Sequence, residues 1–133
     1  MATSLSLRAL PERLSIVRLS TDALVPTWIF EGPGVAAAVR RGDELAAVCA
    51  TDRVPAGTTH DDGWLALEVE GPLDLALTGI LLAVARPLAD AGIAIFAVST
   101  YDTDIVLVRA MALEGAVEAL AQAGHTVDVS RVS

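Results

Sequence analysis

The sequence predicts an α+β protein of two lobes, the second running strand, helix, strand, strand, helix, strand. Three observations carry this. Alternation of period two marks Trp64–Glu70 and His125–Val129 as half-buried strands. Apolar residues at helical spacing mark two helices, through Leu77, Leu81, Val84 and Leu88 and through Leu113, Ala116, Val117 and Leu120. Two short, β-branched runs, Ile93–Val98 and Ile105–Val108, stand between the helices as paired strands.

In the N-terminal half, Ser4–Ala9 and Leu14–Leu19 read as strands separated by the break at Pro11-Glu12. A short helical turn fits Thr21–Phe30, its length limited by Pro26. Val35–Val39 and Leu45–Ala50 are expected to pair as a hairpin across Arg40-Arg41-Gly42-Asp43. Asp52–Gly63, rich in Gly, Pro, Thr and Asp, reads as a connector between the lobes. The expected division is a truncated lobe over 1–60 and a complete one over 61–133.

In the C-terminal half, Gly71-Pro72 ends the first strand, and Gly92 and Gly124 stand where left-handed helix caps belong. Pro87 falls inside the first helix and is expected to kink or loosen it. Ile93–Val98 is expected to be a central strand covered on both faces, and Ile105–Val108 another. Ser99–Asp104 is a tight polar connection between them. Val127 and Val129 should face inward from the last strand. This β-α-β-β-α-β order is the ferredoxin-like arrangement.

Composition removes several chemistries. The 133 residues include no lysine, so Schiff-base catalysis, a pyridoxal phosphate anchor and a Walker A phosphate loop are excluded. A single cysteine, Cys49, excludes an internal disulfide and multi-cysteine zinc sites. Aromatic residues, at 4%, are too few for platforms that stack single-stranded nucleic acid. Nine arginines against 17 acids give a net charge of −8. Such a surface disfavours nucleic acid and anionic membrane, which need clustered cations. The first residues lack the basic and apolar regions of a signal peptide, and the apolar stretch Leu73–Ala91 is interrupted by charged residues, Gly and Pro. A cytoplasmic protein whose partner is a neutral or zwitterionic small molecule, or another protein, is expected.

The strings Gly71-Pro72-Leu73-Asp74-Leu75-Ala76-Leu77-Thr78-Gly79-Ile80-Leu81 and Gly92-Ile93-Ala94-Ile95-Phe96-Ala97-Val98-Ser99-Thr100-Tyr101-Asp102-Thr103-Asp104 resemble the small bacterial tandem ACT-domain proteins. Relatives of that family include the CASTOR-type arginine sensors. Asp43-Glu44-Leu45 with Val48-Cys49, Asp52-Arg53-Val54-Pro55 and the closing Ala123-Gly124-His125 extend the resemblance over nearly the whole chain. It implies two ACT lobes, the N-terminal one degenerate, with no catalysis and no cofactor. It also implies an amino acid bound at a lobe or subunit interface, and a homodimer is expected because 53% hydrophobic residues leave apolar surface to cover. Four positions depart from the family pattern: Ala46, Ala50, Thr51 and Ile105.

Candidate ligand contacts fall in three places. Thr78, Gly79 and Ile80 open the first helix, where unpaired N–H groups suit a carboxylate. Ser99, Thr100, Asp102, Thr103 and Asp104 offer acceptors for an ammonium group, although the same residues serve turns by bonding their own backbone. Ala47 and Val48 are expected to form a side-chain wall. Cys49 reads as a buried structural thiol, His60-Asp61-Asp62 as a solvated loop, and His125 as a residue bonded to nearby backbone. Trp28 and Trp64 read as core or interface anchors. The expected function is a regulatory amino-acid-binding protein. The alternative is a ligand-free interaction module, and a small enzyme pairing Asp104 with His125 is the remaining reading.

Overall fold

The computed structural model describes residues 4–22, 24–74 and 78–133. Leu77, expected in the first helix, lies outside them. Two compact units are present, and their division differs from 1–60 and 61–133. One is Leu65–Ser133 together with the N-terminal stretch up to Pro11, and the other is Glu12–Trp64. The reason is the first strand, β1 (Ser6–Ala9). It pairs antiparallel with the C-terminal half of β5 (His60–Val69), Leu7 opposite Val69, and parallel with β8 (Thr126–Asp128), Leu7 opposite Val127. Leu5, Leu7 and Ala9 are all buried there. A strand read as opening the first lobe thus completes the sheet of the second.

That unit has the strand order β6-β7-β5-β1-β8, with β6 (Ile95–Ser99) and β7 (Asp104–Arg109) antiparallel. With α1 (Ile80–Asp90) and α2 (Leu113–Gln122) it gives the β-α-β-β-α-β order anticipated from the sequence, plus one inserted strand. Its core gathers Leu7, Leu67, Val69, Val84, Leu88, Val106, Val108, Ala116 and Leu120. A large aliphatic side chain buried in this way stabilises the fold by about 1.5–3 kcal/mol. β7 is buried along Ile105–Val108, as a central strand should be. β6 is not central. Among the described residues it pairs with β7 alone, and it is half exposed because it is the edge of this order. Val129 lies beyond β8 and is exposed, while Val127 packs on the core.

α1 begins at Ile80 because Gly79, at φ 80°, is left-handed and cannot extend the helix. Both helices end as Gly92 and Gly124 suggest. The Gly92 and Ile93 N–H groups donate to Ala89 and Leu88, and those of Gly124 and His125 to Ala121 and Leu120, the paired bonds of a Schellman motif. Pro87 leaves α1 unbroken.

The other unit contains β2 (Leu14–Leu19), β3 (Ala37–Arg41), β4 (Glu44–Ala50) and the first residues of β5, in the order β3-β4-β2-β5. The expected hairpin forms two residues later than its predicted start, with Arg41 opposite Glu44. A 3-10 turn over Thr27–Phe30 follows Pro26. No α-helix occurs among its described residues. The connector is shorter than expected: His60 and Asp61 already pair with Val17 and Ile16, so His60-Asp61-Asp62 is the exposed start of a strand and not a loop.

Candidate functional site

The polar connection between β6 and β7 folds on itself. The Thr100 N–H donates to the Thr103 carbonyl at 2.8 Å, and the Thr100 hydroxyl donates to the same carbonyl at 3.1 Å. That hydroxyl oxygen also accepts the N–H groups of Asp102 and Thr103, at 3.3 and 3.1 Å. Ser99 Oγ donates to Asp104 Oδ1 at 2.7 Å across the base of the turn. Much of the polarity in this string is therefore turn chemistry, and Thr100 takes part in four of its bonds, three through the hydroxyl.

The turn is fastened to the exit of β5. Thr103 Oγ1 donates to the Val69 carbonyl at 2.6 Å, and the Leu73 N–H donates to the Asp102 carbonyl at 2.6 Å. Between the turn, the Leu73-Asp74 segment and the start of α1 lies a crevice of about 150 Å³. Ser99, Thr100, Asp102, Thr103 and Asp104 line it, and Ile80 closes it from the helix. Leu73, Asp74 and Tyr101 line it too, and sequence reasoning missed them as contacts. Asp74 and Tyr101 stand inside the two strings that carry the family resemblance, which was the available signal.

The candidates divide accordingly. Ile80 and the five residues of the turn come together. Thr78 and Gly79, both exposed, precede the helix without lining the crevice, and Gly79 rather than Thr78 is the N-cap. Ala47 and Val48 are on β4. They belong to the other unit, are each 3% exposed, and Ala47 packs with Val17, Ile29 and Cys49 in its core. Ile105 is buried in β7 and does not line the crevice. No group of three potential metal ligands occurs among the described residues.

The crevice is small beside the roughly 300–1,000 Å³ of sites for drug-sized ligands. A hollow of about 450 Å³ bounded by Arg86, Asp90 and Gln122 is larger, but it lies at the C-terminal ends of the helices. The smaller crevice combines the first turn of a helix, whose leading N–H groups have no partner within the helix, with the carboxylates of Asp102 and Asp104. That is the chemistry a zwitterion needs.

The Asp104–His125 acid–base pair does not form. Asp104 accepts from Ser99, while His125 is buried with both ring nitrogens on backbone groups, Leu5 and Ala83. Cys49 is fully buried; burial pushes its thiol upward, against the lowering charge of Arg53 and with the raising charge of Asp52. A raised thiol is a poor nucleophile.

The ACT-domain family model matches residues 59–122, and a second model, described as an N-terminal domain, matches 12–57. The second begins where the chain leaves β1. Protein Atu0741 from Agobacterium tumefaciens is 40% identical over 97% of this chain and 96% of its own, with a TM-score of 0.91. A Vibrio cholerae protein of unknown function, VC0802, is 22% identical over 91% of both chains, with a TM-score of 0.69. The ligand-free regulatory subunit of aspartate kinase from Thermus thermophilus shares the fold, at 15% identity over 92% of this chain and 99% of its own, TM-score 0.61. No curated protein matches the chain. The fold, the ACT match and the full-length relationship agree: this chain carries an ACT domain over residues 59–122 and belongs to one family with the Agobacterium protein.

Proposed function

We propose that this ACT-domain protein is a regulatory sensor of a small amino acid, without catalytic activity of its own, acting in the cytoplasm as a homodimer. A kinship with the CASTOR-type arginine sensors is part of the same proposal. One observation carries it: Ile80, at the first turn of α1, lines the same crevice as Asp102 and Asp104. The ligand carboxylate meets the N–H groups at the helix start, and its ammonium meets Asp102 or Asp104. Asp104 keeps one carboxylate oxygen for this role, since Ser99 takes the other. Binding shifts the population of two conformations, and a partner protein reads the shift.

The test is a thermal-shift screen of the twenty common amino acids. A ligand at 100 times its dissociation constant adds about 2.7 kcal/mol of stability, which for a chain of this length raises the melting temperature by several degrees. A flat response to all twenty at millimolar concentration sinks the sensor reading. Light scattering at micromolar concentration tests the dimer, and a single 13.8 kDa species removes it.

A second reading, a ligand-free interaction module, is favoured by the turn itself. Thr100 and Ser99 satisfy their hydroxyls within the turn and leave less for a ligand. The same screen decides between the two.

A further inference from the structure

We propose that His125 is a positioning residue for the amino-acid crevice, holding the first turn of α1 against β1 so that a ligand seated at Ile80 also tightens Leu5. The proposal rests on the amino-acid-binding reading above.

A continuous line of hydrogen bonds joins the two places. The Gly79 carbonyl, at the helix cap, accepts the Ala83 N–H at 2.9 Å. The Ala83 carbonyl accepts from His125 Nε2 at 3.0 Å, and His125 Nδ1 accepts the Leu5 N–H at 3.0 Å. The roles of the ring are fixed by its neighbours. A backbone N–H only donates, so Nδ1 is the acceptor, and Nε2 carries the hydrogen given to the Ala83 carbonyl.

The Ala83 carbonyl needs this donor because of Pro87. In an α-helix that carbonyl is bonded by the N–H four residues on, and proline has none. The imidazole, only 6% exposed, occupies the vacant position. Leu5 is nearly as buried, and its carbonyl accepts the Thr126 N–H at 2.9 Å. One ring therefore sets the helix turn at the crevice, the start of β1 and the entry to β8. A ligand that draws on the helix start orders this turn, and the order reaches Leu5 through two bonds. Coupling is reciprocal, so removing the ring weakens the ligand by the factor with which the ligand protects Leu5.

The experiment compares wild type, His125→Phe, Pro87→Ala and the double variant, titrated with the twenty common L-amino acids one at a time. It adds amide hydrogen exchange at Leu5 in wild type with and without each amino acid that binds. His125→Phe is expected to weaken binding by about 5- to 150-fold, the usual span of coupled sites. Adding Pro87→Ala returns an N–H to the Ala83 carbonyl and should restore most of that loss, although position 125 stays mutated. Exchange at Leu5 in wild type should slow by a comparable factor when the amino acid binds. Unchanged affinity in His125→Phe overturns the proposal, and so does a loss that Pro87→Ala leaves unrepaired. If His125→Phe does not fold, the wild-type exchange decides, and Leu5 exchange unmoved by saturating amino acid overturns it. Wild type binding none of the twenty brings down the sensor reading and the positioning role together, whereas binding that ignores His125 brings down the role alone.

Discussion

A Cβ placed on Gly71 would stand 2.9 Å from the carbonyl oxygen of Asp102, closer than those atoms approach in folded chains. The same oxygen accepts the Leu73 N–H, so the strand exit and the turn share one carbonyl. Glycine permits that approach because it has no side chain to place there. The crevice depends on this closeness, since Leu73 and Asp102 both line it.

Gly71→Ala should therefore push the turn away from the strand. The obstacle is backbone, which yields less than a side-chain tip, and overpacking of this kind costs about 1–3 kcal/mol. A urea melt should show the midpoint lowered with the slope unchanged. Hydrogen exchange at the Leu73 amide should quicken in parallel. A variant that melts as wild type does, with Leu73 still protected, means the two segments separate without cost.

Asp104 divides the sensor reading from the turn reading. If its carboxylate holds a ligand ammonium, Asp104→Ala removes a hydrogen bond to a charged group, worth about 1.5–3 kcal/mol. Affinity then falls roughly 10- to 150-fold, at about tenfold per 1.4 kcal/mol. Stability should change by about 0.5 kcal/mol or less, since the bond from Ser99 is solvent-exposed. Calorimetric titration beside a melt of the same variant separates the cases. Unaltered affinity with a lowered midpoint assigns Asp104 to the turn and leaves Asp102 as the carboxylate of the crevice.

Much of the C-terminal architecture was legible because its signals are local. The periods of Trp64–Glu70 and Leu113–Leu120 and the glycines at 92 and 124 each specify an element without knowledge of its neighbours. The place of β1 was not legible. Ser6–Ala9 alternates as any half-buried strand does, and nothing local says that its partners are Val69 and Val127. The edge position of β6 was hidden for the same reason, because Ile95–Val98 is as apolar as a central strand. At the crevice, the polar turn and the helix start could be read from residue types. Ala47 and Val48 could not be judged, because whether a strand residue lines a cavity or fills a core depends on which side is covered.

Cys49 gives a prediction for alkaline pH. Burial raises its thiol above the ordinary value of 9.0, so the folded chain holds that proton where the unfolded chain has released it. The contribution to stability is complete below the unfolded value and is lost as pH rises through the folded one. Urea midpoints should decline between pH 8 and pH 10, and Cys49→Ala should flatten the decline while lowering the midpoint at pH 8 through the small cavity it leaves. A thiol reagent should label the native protein slowly and the urea-unfolded protein fast. Rapid labelling of native protein would contradict a buried thiol.

The inserted strand makes the most demanding prediction, because it sets the compact unit against a simple cut of the chain. A fragment of residues 61–133 contains all the elements of a β-α-β-β-α-β domain, yet it lacks β1, which lies between β5 and β8. Without β1, the backbone groups of Leu67–Val69 and of Thr126–Asp128 that pair with it lose their partners. The core loses Leu5, Leu7 and Ala9 together. Removing even one buried leucine to alanine costs about 2–5 kcal/mol, and whole domains are stable by only about 5–15 kcal/mol. The fragment should therefore show no cooperative melt, whereas Leu7→Ala in the full chain should melt cooperatively at a lowered midpoint. Adding a peptide of residues 4–11 should restore folding with saturable dependence on peptide concentration, because the strand then binds as a partner. A peptide carrying Leu7→Asp should not. Cooperative folding of 61–133 alone, unaffected by either peptide, would show that β8 can pair directly with β5 and that β1 is an accessory to the unit and not part of it.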